Sequence, residues 1–557
     1  MRKIRLYLFL FLMVLLTAAA WLGMRHQIYM SPNKEIMPAE ELFRAEGDEI
    51  ALILDSRLQE ARGWYSEGNV YLPLEWVTDS VNPTFYFDES TGLLLYTMPD
   101  RTDRYEHPGW IRREGDVWIS LALVQKYTDL YVREYLGGPA RRIFLDTVWD
   151  TRRTAAVLKN TRLHAARSIK NRTIRELAAG ERVELVKEVP DDGLTEDALP
   201  GPYEATDWEH VLTEDGLTGY VLKENLTDHR NAIRISSFVQ PDYSGISLPY
   251  RITLAWHQVT DAAGNKRVAD ALEGIAGVNV VSPTWFSLTG NEGEFSSLAD
   301  PDYVSYAHSQ GLQVWGLIDN FGDVDSRILL PDMAGREKLI SGLLAEAERT
   351  GMDGINIDFE LLPAEASDAY AQFLRELSVA CRQAGLVLSV DVPNPASFNQ
   401  HYRRDVLGQF VDYVINMGYD EHYAGGEMGS VSSYPFFSQG IADTLKDVPK
   451  EKLIAGLPLY TRIWTKDGSQ VTSRALGITA AQEWADSNDV ILRWDESLGQ
   501  NVGELHAGGV DSYLWMEDRE SLTLKLQAAE QAGLAGVACW KLGFNTPTSL
   551  WELLSRQ

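Results

Sequence analysis

The segment DGINIDFE, residues 353–360, sets an amide and two carboxyls at alternate positions. Alternate side chains of a strand share one face, so Asn356, Asp358 and Glu360 point one way while Ile355, Ile357 and Phe359 point the other. Neighbouring carboxyls turned into a fold cannot both ionise cheaply; burial and like charge raise their pKa, and sharing one proton is the natural arrangement. A fold would rarely keep two such acids side by side without a use for them. A structural role, with both carboxylates tied to an Arg or left at an exposed loop, is the other reading. No glycine loop for phosphate, no His-rich metal spacing and no Ser-His-Asp order competes, so neither a cofactor nor a metal is expected. His257 reads as a satisfied hydrogen-bonding or subsite residue. Cys381 and Cys539, the only two cysteines, read as buried packing residues, too few for a disulfide framework.

Something must hold those acids in place. Between residues 249 and 557, eight apolar runs read as strands: ITLAW, VNVVSPTWF, LQVWGLI, DGINIDFE, LVLSVDV, VDYVINMGYD, KLIAGLPLY and GVACWKLGF. Amphipathic stretches such as AEASDAYAQFLRELSVACRQAG separate them, and that one ends at Gly385. Eight strands, each followed by a helix, predict an α/β fold, a (β/α)8 TIM barrel, whose catalytic groups sit at the carboxyl ends of the strands. The gap at residues 459–534 is twice the usual repeat and holds VILRWD and DSYLWMED, which predicts a small inserted α+β lobe.

Two small β-rich modules and a membrane helix are expected ahead of the barrel. Arg2, Lys3 and Arg5 precede an uncharged apolar run at residues 6–24, which predicts a signal-anchor within residues 1–30 and an exported body. A signal peptide cut near Ala18 to Ala20 is the alternative. Residues 48–147 alternate short strands with turns, Asp88 to Gly92 being a hairpin signal. This module resembles the amino-terminal domain of copper amine oxidases and reads as a stalk. In residues 163–227, Trp208, the turn Glu214-Asp215-Gly216 and Gly219-Tyr220-Val221 resemble the closing hairpin of Src-homology-3-like wall modules. Trp208 and Tyr220 there are either the core of a small barrel or a grip on wall peptide or glycan.

DGINIDFE resembles the D-G-x-D-x-D-x-E motif of glycoside hydrolase family 18, the chitinase-type barrels. Asp353, Gly354, Asp358 and Glu360 match, and Asn356 stands where the family carries its middle acid. Asn416-Met417-Gly418-Tyr419-Asp420 resembles the family's M-x-Y-D element, and Trp540 ends strand eight, where the family has its aromatic floor. The resemblance implies substrate-assisted retaining hydrolysis, with Glu360 as general acid, Asp358 orienting an acetamide N–H and Tyr419 donating to the acetamide oxygen. It makes Asn356, Met417, Asp420 and Trp540 substrate-binding residues. Trp285, Tyr460 and Trp515 are expected either to stack on sugars or to be core aromatics.

Charge narrows the partners. Lys and Arg number 51 against 80 Asp and Glu, a net charge of −29, which repels nucleic acid. The combined expectation is a membrane-anchored hydrolase with its body outside the cytoplasm, or else secreted or wall-bound, cleaving N-acetylglucosamine-containing cell-wall glycan. Chitin or its oligosaccharides are the alternative substrate, and a non-catalytic glycan-binding barrel is the alternative function.

Overall fold

The computed structural model describes residues 2–554 apart from 139, 150, 188, 244 and 545, with the side chains of residues 2–10 and 28 outside the description. The chain forms two compact units, residues 1–85 with 105–240, and residues 86–104 with 241–557.

In the first unit, Glu49–Leu54 pairs antiparallel with Arg57–Ser66 and parallel with Arg141–Asp146, at the centre of a seven-stranded sheet. A second seven-stranded sheet contains the hairpin of Trp208–Thr213 with Thr218–Leu222. It takes in Thr151–Val157 and runs on to Leu226–Ile233, beyond both ends of the expected 163–227 module. Trp208 and Tyr220 are buried with Ile169 and Leu222. The helix Arg2–Met30 covers the expected anchor, but among the described residues no helix is long and apolar enough to cross a membrane. Residues 11–24 are the apolar part whose side chains are described, and Arg25 and His26 follow.

The second unit is a closed barrel. Its strands are Ile252–His257, Val280–Leu288, Gln313–Asp319, Gly354–Asp358, Val387–Pro393, Tyr413–Met417, Leu453–Pro458 and Gly536–Trp540, paired in parallel, with the first joined to both the second and the eighth. Ile355, Ile357 and Phe359 pack outward among the helices. The barrel interior is lined by Trp256, Trp315, Leu317, Tyr413, Ile415 and others. Gly354 is required by this closeness: a Cβ there would stand 2.7 Å from the Val387 carbonyl oxygen and 2.8 Å from the Trp315 ring. Cys381 and Cys539 are buried and unbonded to one another, and burial pushes both thiols up, away from reactivity.

An inserted lobe follows strand seven. Five strands between Tyr460 and Met516 form its sheet, and Ile478–Ser487 packs on it. Arg519–Gln531 is then the ordinary barrel helix leading to strand eight, so the lobe is shorter than residues 459–534.

Residues 86–104 leave the expected 48–147 stalk and join the barrel unit. Their turn forms as the sequence predicts, with Asp88 Oδ1 accepting from Ser90 Oγ at 2.6 Å and Thr91 N at 3.0 Å, and Gly92 at φ 67°. The other Asp88 oxygen accepts from Arg336 at 2.9 Å, and Arg336 also grips Glu376 at 2.8 Å. Arg336 and Asp88 are both fully buried. Burial works against the Asp88 charge, but hydrogen bonds from Ser90, Arg336 and Thr91 outweigh it and hold the carboxyl below its usual range. An aspartate depressed on folding stabilises above its unfolded pKa, near ~3.9, and loses that contribution as the pH falls through the folded value. Arg336→Met should destabilise the barrel unit by ~3–5 kcal/mol at neutral pH, because two carboxylates lose their partner. Denaturant melts at pH 7 and at pH 3 check this; the deficit should shrink in acid.

Candidate active site

Strand four carries its polar side chains into the barrel, and the deepest is fully buried Asn356. Its Oδ1 accepts from Trp256 Nε1 and from Ser282 Oγ, each at 3.0 Å. Two donors on that oxygen fix the amide, so Nδ2 donates to Asp391 Oδ1 at 2.8 Å. Asp391 comes from strand five, where the alternation of Val387–Pro393 turns it inward.

Asp358 ends strand four, 5% exposed, and its Oδ1 is buried with no hydrogen-bond partner among the described residues. Burial first, then the charges of Asp391, Glu360 and Asp319, push this carboxyl well above the usual range. Asp319, in register with Asp358 at the end of strand three, accepts from Ser287 Oγ at 2.7 Å. Glu360 lies just beyond, with its side chain open to the groove and its carbonyl accepting from Tyr402 OH at 2.7 Å. The rim around it is dense enough in protein atoms that desolvation, followed by the charges of Asp420 and Asp319, raises its pKa. A carboxyl so placed holds its proton to higher pH than an ordinary glutamate while remaining exposed to a ligand, which suits a general acid.

Strand six delivers the next groups. Tyr419 is half-buried, and burial followed by the nearby carboxyls Asp391 and Asp358 pushes its hydroxyl well up, so it remains a donor. Asp420 follows in the left-handed region at φ 58° and accepts from Tyr460 OH at 2.5 Å. Met417 is half-buried at the end of the strand. The loop beyond is tied down: Ser432 Oγ donates to the Gly418 carbonyl at 2.6 Å, and Ser430 Oγ donates to Gln500 of the lobe at 2.5 Å. Gln500 in turn donates to Glu517 at 2.6 Å, which is ion-paired with fully buried Lys525. The lobe thereby braces the segment that presents Tyr419 and Asp420.

Four rings pack together around these acids. Trp256 meets Trp540 at 5.9 Å and Tyr419 at 6.4 Å, and Tyr419 meets Tyr460 at 6.3 Å. Half-buried Trp540 retains surface facing outward, while Tyr460 is spent on core and on Asp420. Phe321, Phe398 and Tyr423, on the loops after strands three, five and six, are 52%, 82% and 58% exposed and add apolar surface around the mouth.

Two expected sugar-stacking residues stand elsewhere. Trp285 is 1% exposed in the core between barrel and helices, edge-on to Tyr303, with Nε1 donating to Asn265 at 2.8 Å. The Val280–Leu288 strand continues past the barrel mouth into a hairpin with Phe295–Ser297, which turns that position away from the groove. Trp515 lies on the lobe sheet opposite Val502 and stacks on Tyr513 rather than on the four-ring cluster. Trp540→Ala should therefore raise KM by up to ~10-fold, the value of one lost ring contact. Trp285→Ala should leave KM near wild type but cost ~3–5 kcal/mol of stability. Steady-state kinetics beside denaturant melts separate the two outcomes.

His257 ends strand one, and its Nδ1 is 2.9 Å from Tyr303 OH. Burial, helped by the charges of Arg267 and Lys541, pulls its pKa down to about 4, so it is neutral at working pH. The residues that sequence reading passed over are Asp391, Asp319 and Trp256. Trp256 lies at an inward position of a predicted strand and Asp319 directly follows one, so strand periodicity and strand ends could have found those two.

A family model described as glycosyl hydrolases family 18 matches residues 313–545. The uncharacterized glycosylase YvbX of Bacillus subtilis is 26% identical over 301 residues, covering 50% of this chain and 84% of that protein. The cortical fragment-lytic enzyme of Bacillus subtilis is 30% identical over 267 residues, which are 45% of this chain and 62% of that one. The chain thus spans less than two-thirds of that enzyme's length. Among solved structures, the C-terminal domain of a candidate chitinase from Desulfitobacterium hafniense superposes with a TM-score of 0.51 at 25% identity, covering 55% of this chain and 99% of that domain. The Bacillus cereus spore cortex-lytic enzyme SleL gives 0.50 at 22% identity, over 58% of this chain and 77% of that one, a likeness of fold.

Proposed function

From a chain that carries a glycoside hydrolase family 18 domain, we propose an enzyme that cleaves N-acetylglucosamine-containing glycan of the bacterial cell wall by substrate-assisted, retaining hydrolysis. The observation that carries it is the pairing of a buried, unpartnered carboxyl oxygen on Asp358 with an exposed carboxyl on Glu360 whose pKa is raised, two positions apart in the chain. Glu360 gives its proton to the glycosidic oxygen as the C1–O bond breaks. The 2-acetamido carbonyl oxygen bonds to C1 from the opposite face, giving an oxazolinium ion, and Asp358 Oδ1 accepts the acetamide N–H. Tyr419 donates its hydroxyl to the acetamide oxygen. Water then loses a proton to the Glu360 carboxylate and attacks C1, and the acetamide is released with net retention.

Wall glycan is favoured over chitin because cortical fragment-lytic and spore cortex-lytic enzymes are among the relatives, although chitinases are there too. A grip on wall polymer by the 151–233 sheet belongs to the same proposal, as does export by the basic and apolar amino terminus. Incubation with purified peptidoglycan and with chitin oligomers, followed by identification of the new reducing ends, tests it. New N-acetylglucosamine ends from peptidoglycan support the reading. Cleavage of chitin alone moves the assignment to the chitinase alternative, and binding without cleavage to a non-catalytic barrel.

A further inference from the structure

We propose that Asp391 is the positioning residue through which this barrel restores, from strand five, the acid that Asn356 removes from strand four; the inference rests on the hydrolytic reading above. The two residues form one unit, because Nδ2 of Asn356 donates to Asp391 Oδ1 at 2.8 Å while Trp256 and Ser282 occupy the amide oxygen. An aspartate at 356 in this setting would set two carboxylates at hydrogen-bond distance. The amide at 356 therefore complements the acid at 391, and the departure at 356 moves an acid by one strand rather than deleting it.

Asp391 is 2% exposed and Asn356 fully buried, which places them beneath the groove, below Asp358. Asp391 acts there without touching a ligand. Its own carboxyl is buried and pushed well above the usual range, so it and Asp358 titrate as a pair in which ionisation of either opposes that of the other, and by hydrogen bond it fixes the Asn356 amide between strands four and five. The groups that share this field are Glu360 just past strand four, Asp319 at the end of strand three, Tyr419 just past strand six, and Tyr370 and Tyr402 from the helical layer behind. All are acids or phenols, and no cation is among them. Removing the Asp391 charge should consequently let Asp358 ionise at lower pH.

The test compares kcat/KM against pH for the full chain, Asp391→Asn, Asn356→Asp and the double exchange Asn356→Asp/Asp391→Asn on one oligosaccharide. Asp391→Asn keeps an acceptor for the Asn356 amide, so its acidic limb should move down by about one pH unit with KM little changed. Asn356→Asp should move that limb up by a similar amount, since two adjacent acids titrate as a pair. The double exchange leaves one acid and one amide, with Trp256 and Ser282 still donating to position 356, and should return the limb to the wild-type position. A merely structural Asp391 would lower rates and melting temperatures without moving the limb or being rescued by the exchange. Superimposable profiles for wild type and Asp391→Asn, or a double exchange no closer to wild type than the single variants, would overturn the proposal. Glu360→Gln run alongside tells the two failures apart: if it stays active, the hydrolytic reading falls as well.

Discussion

Replacing Glu360 with Gln is expected to lower the rate of glycan hydrolysis by ~10²–10⁴-fold while substrate affinity stays within a few-fold of wild type. The carboxamide keeps the shape of the acid and cannot deliver a proton to the leaving oxygen. Binding persists because the apolar surface of Trp540 and the mouth-lining rings are untouched. The pH profile carries the same information. Burial and the charges of Asp420 and Asp319 raise Glu360, so the basic limb of kcat/KM should lie above the ordinary glutamate range. Glu360→Gln should abolish that limb in whatever activity remains. Single-turnover hydrolysis, with binding measured by calorimetry on the same oligosaccharide, reads both quantities.

Asp358→Asn is expected to cost ~10²–10³-fold in kcat, the usual loss when one preorganised electrostatic contact to the developing charge is removed. Its effect on stability should run the other way. Asp358 is buried, its Oδ1 is unpartnered and its folded pKa is raised above the unfolded value. Such a carboxyl binds its proton more tightly in the native state, so its contribution to stability is intact at low pH and is lost as the pH rises through the folded pKa. An amide has no charge to desolvate. Asp358→Asn should therefore melt above wild type at pH 8, with the difference vanishing near pH 4, while the enzyme is crippled at both. Loss of stability at alkaline pH would show that Asp358 holds the fold together rather than waiting for a ligand.

The barrel was legible because its strands are continuous apolar runs of the right length and its helices carry a clear period. Strand four was legible because an amide and two acids at alternate positions along a buried strand have few structural uses. Trp285 misled because proximity to a strand end does not say whether the strand stops there. It runs on to Leu288, into a hairpin with Phe295–Ser297, and the Trp285 ring packs edge-on to Tyr303 in the core. Asp391 was hidden for another reason. In LVLSVDV it is a lone acid, and its importance lies in the Asn356 amide it meets across two strands, a pairing that only register reveals. The 86–104 segment shows the same limit, since its turn can be read from Asp88 and Gly92, whereas its union with Arg336 joins residues 248 positions apart.

The central claim is that the substrate's own acetamide, oriented by Asp358 and Tyr419, is the nucleophile that displaces the oxygen protonated by Glu360. Matched N-acetylated and de-N-acetylated glycan strands of equal length, incubated with the full chain and followed by the anomeric proton signals of the new reducing ends, test it most directly. The account predicts cleavage of the acetylated strand with initial release of the β-anomer, and no cleavage where the acetyl group has been removed from the sugar at the scissile bond. Equal cleavage of both strands, or initial release of the α-anomer, would contradict it.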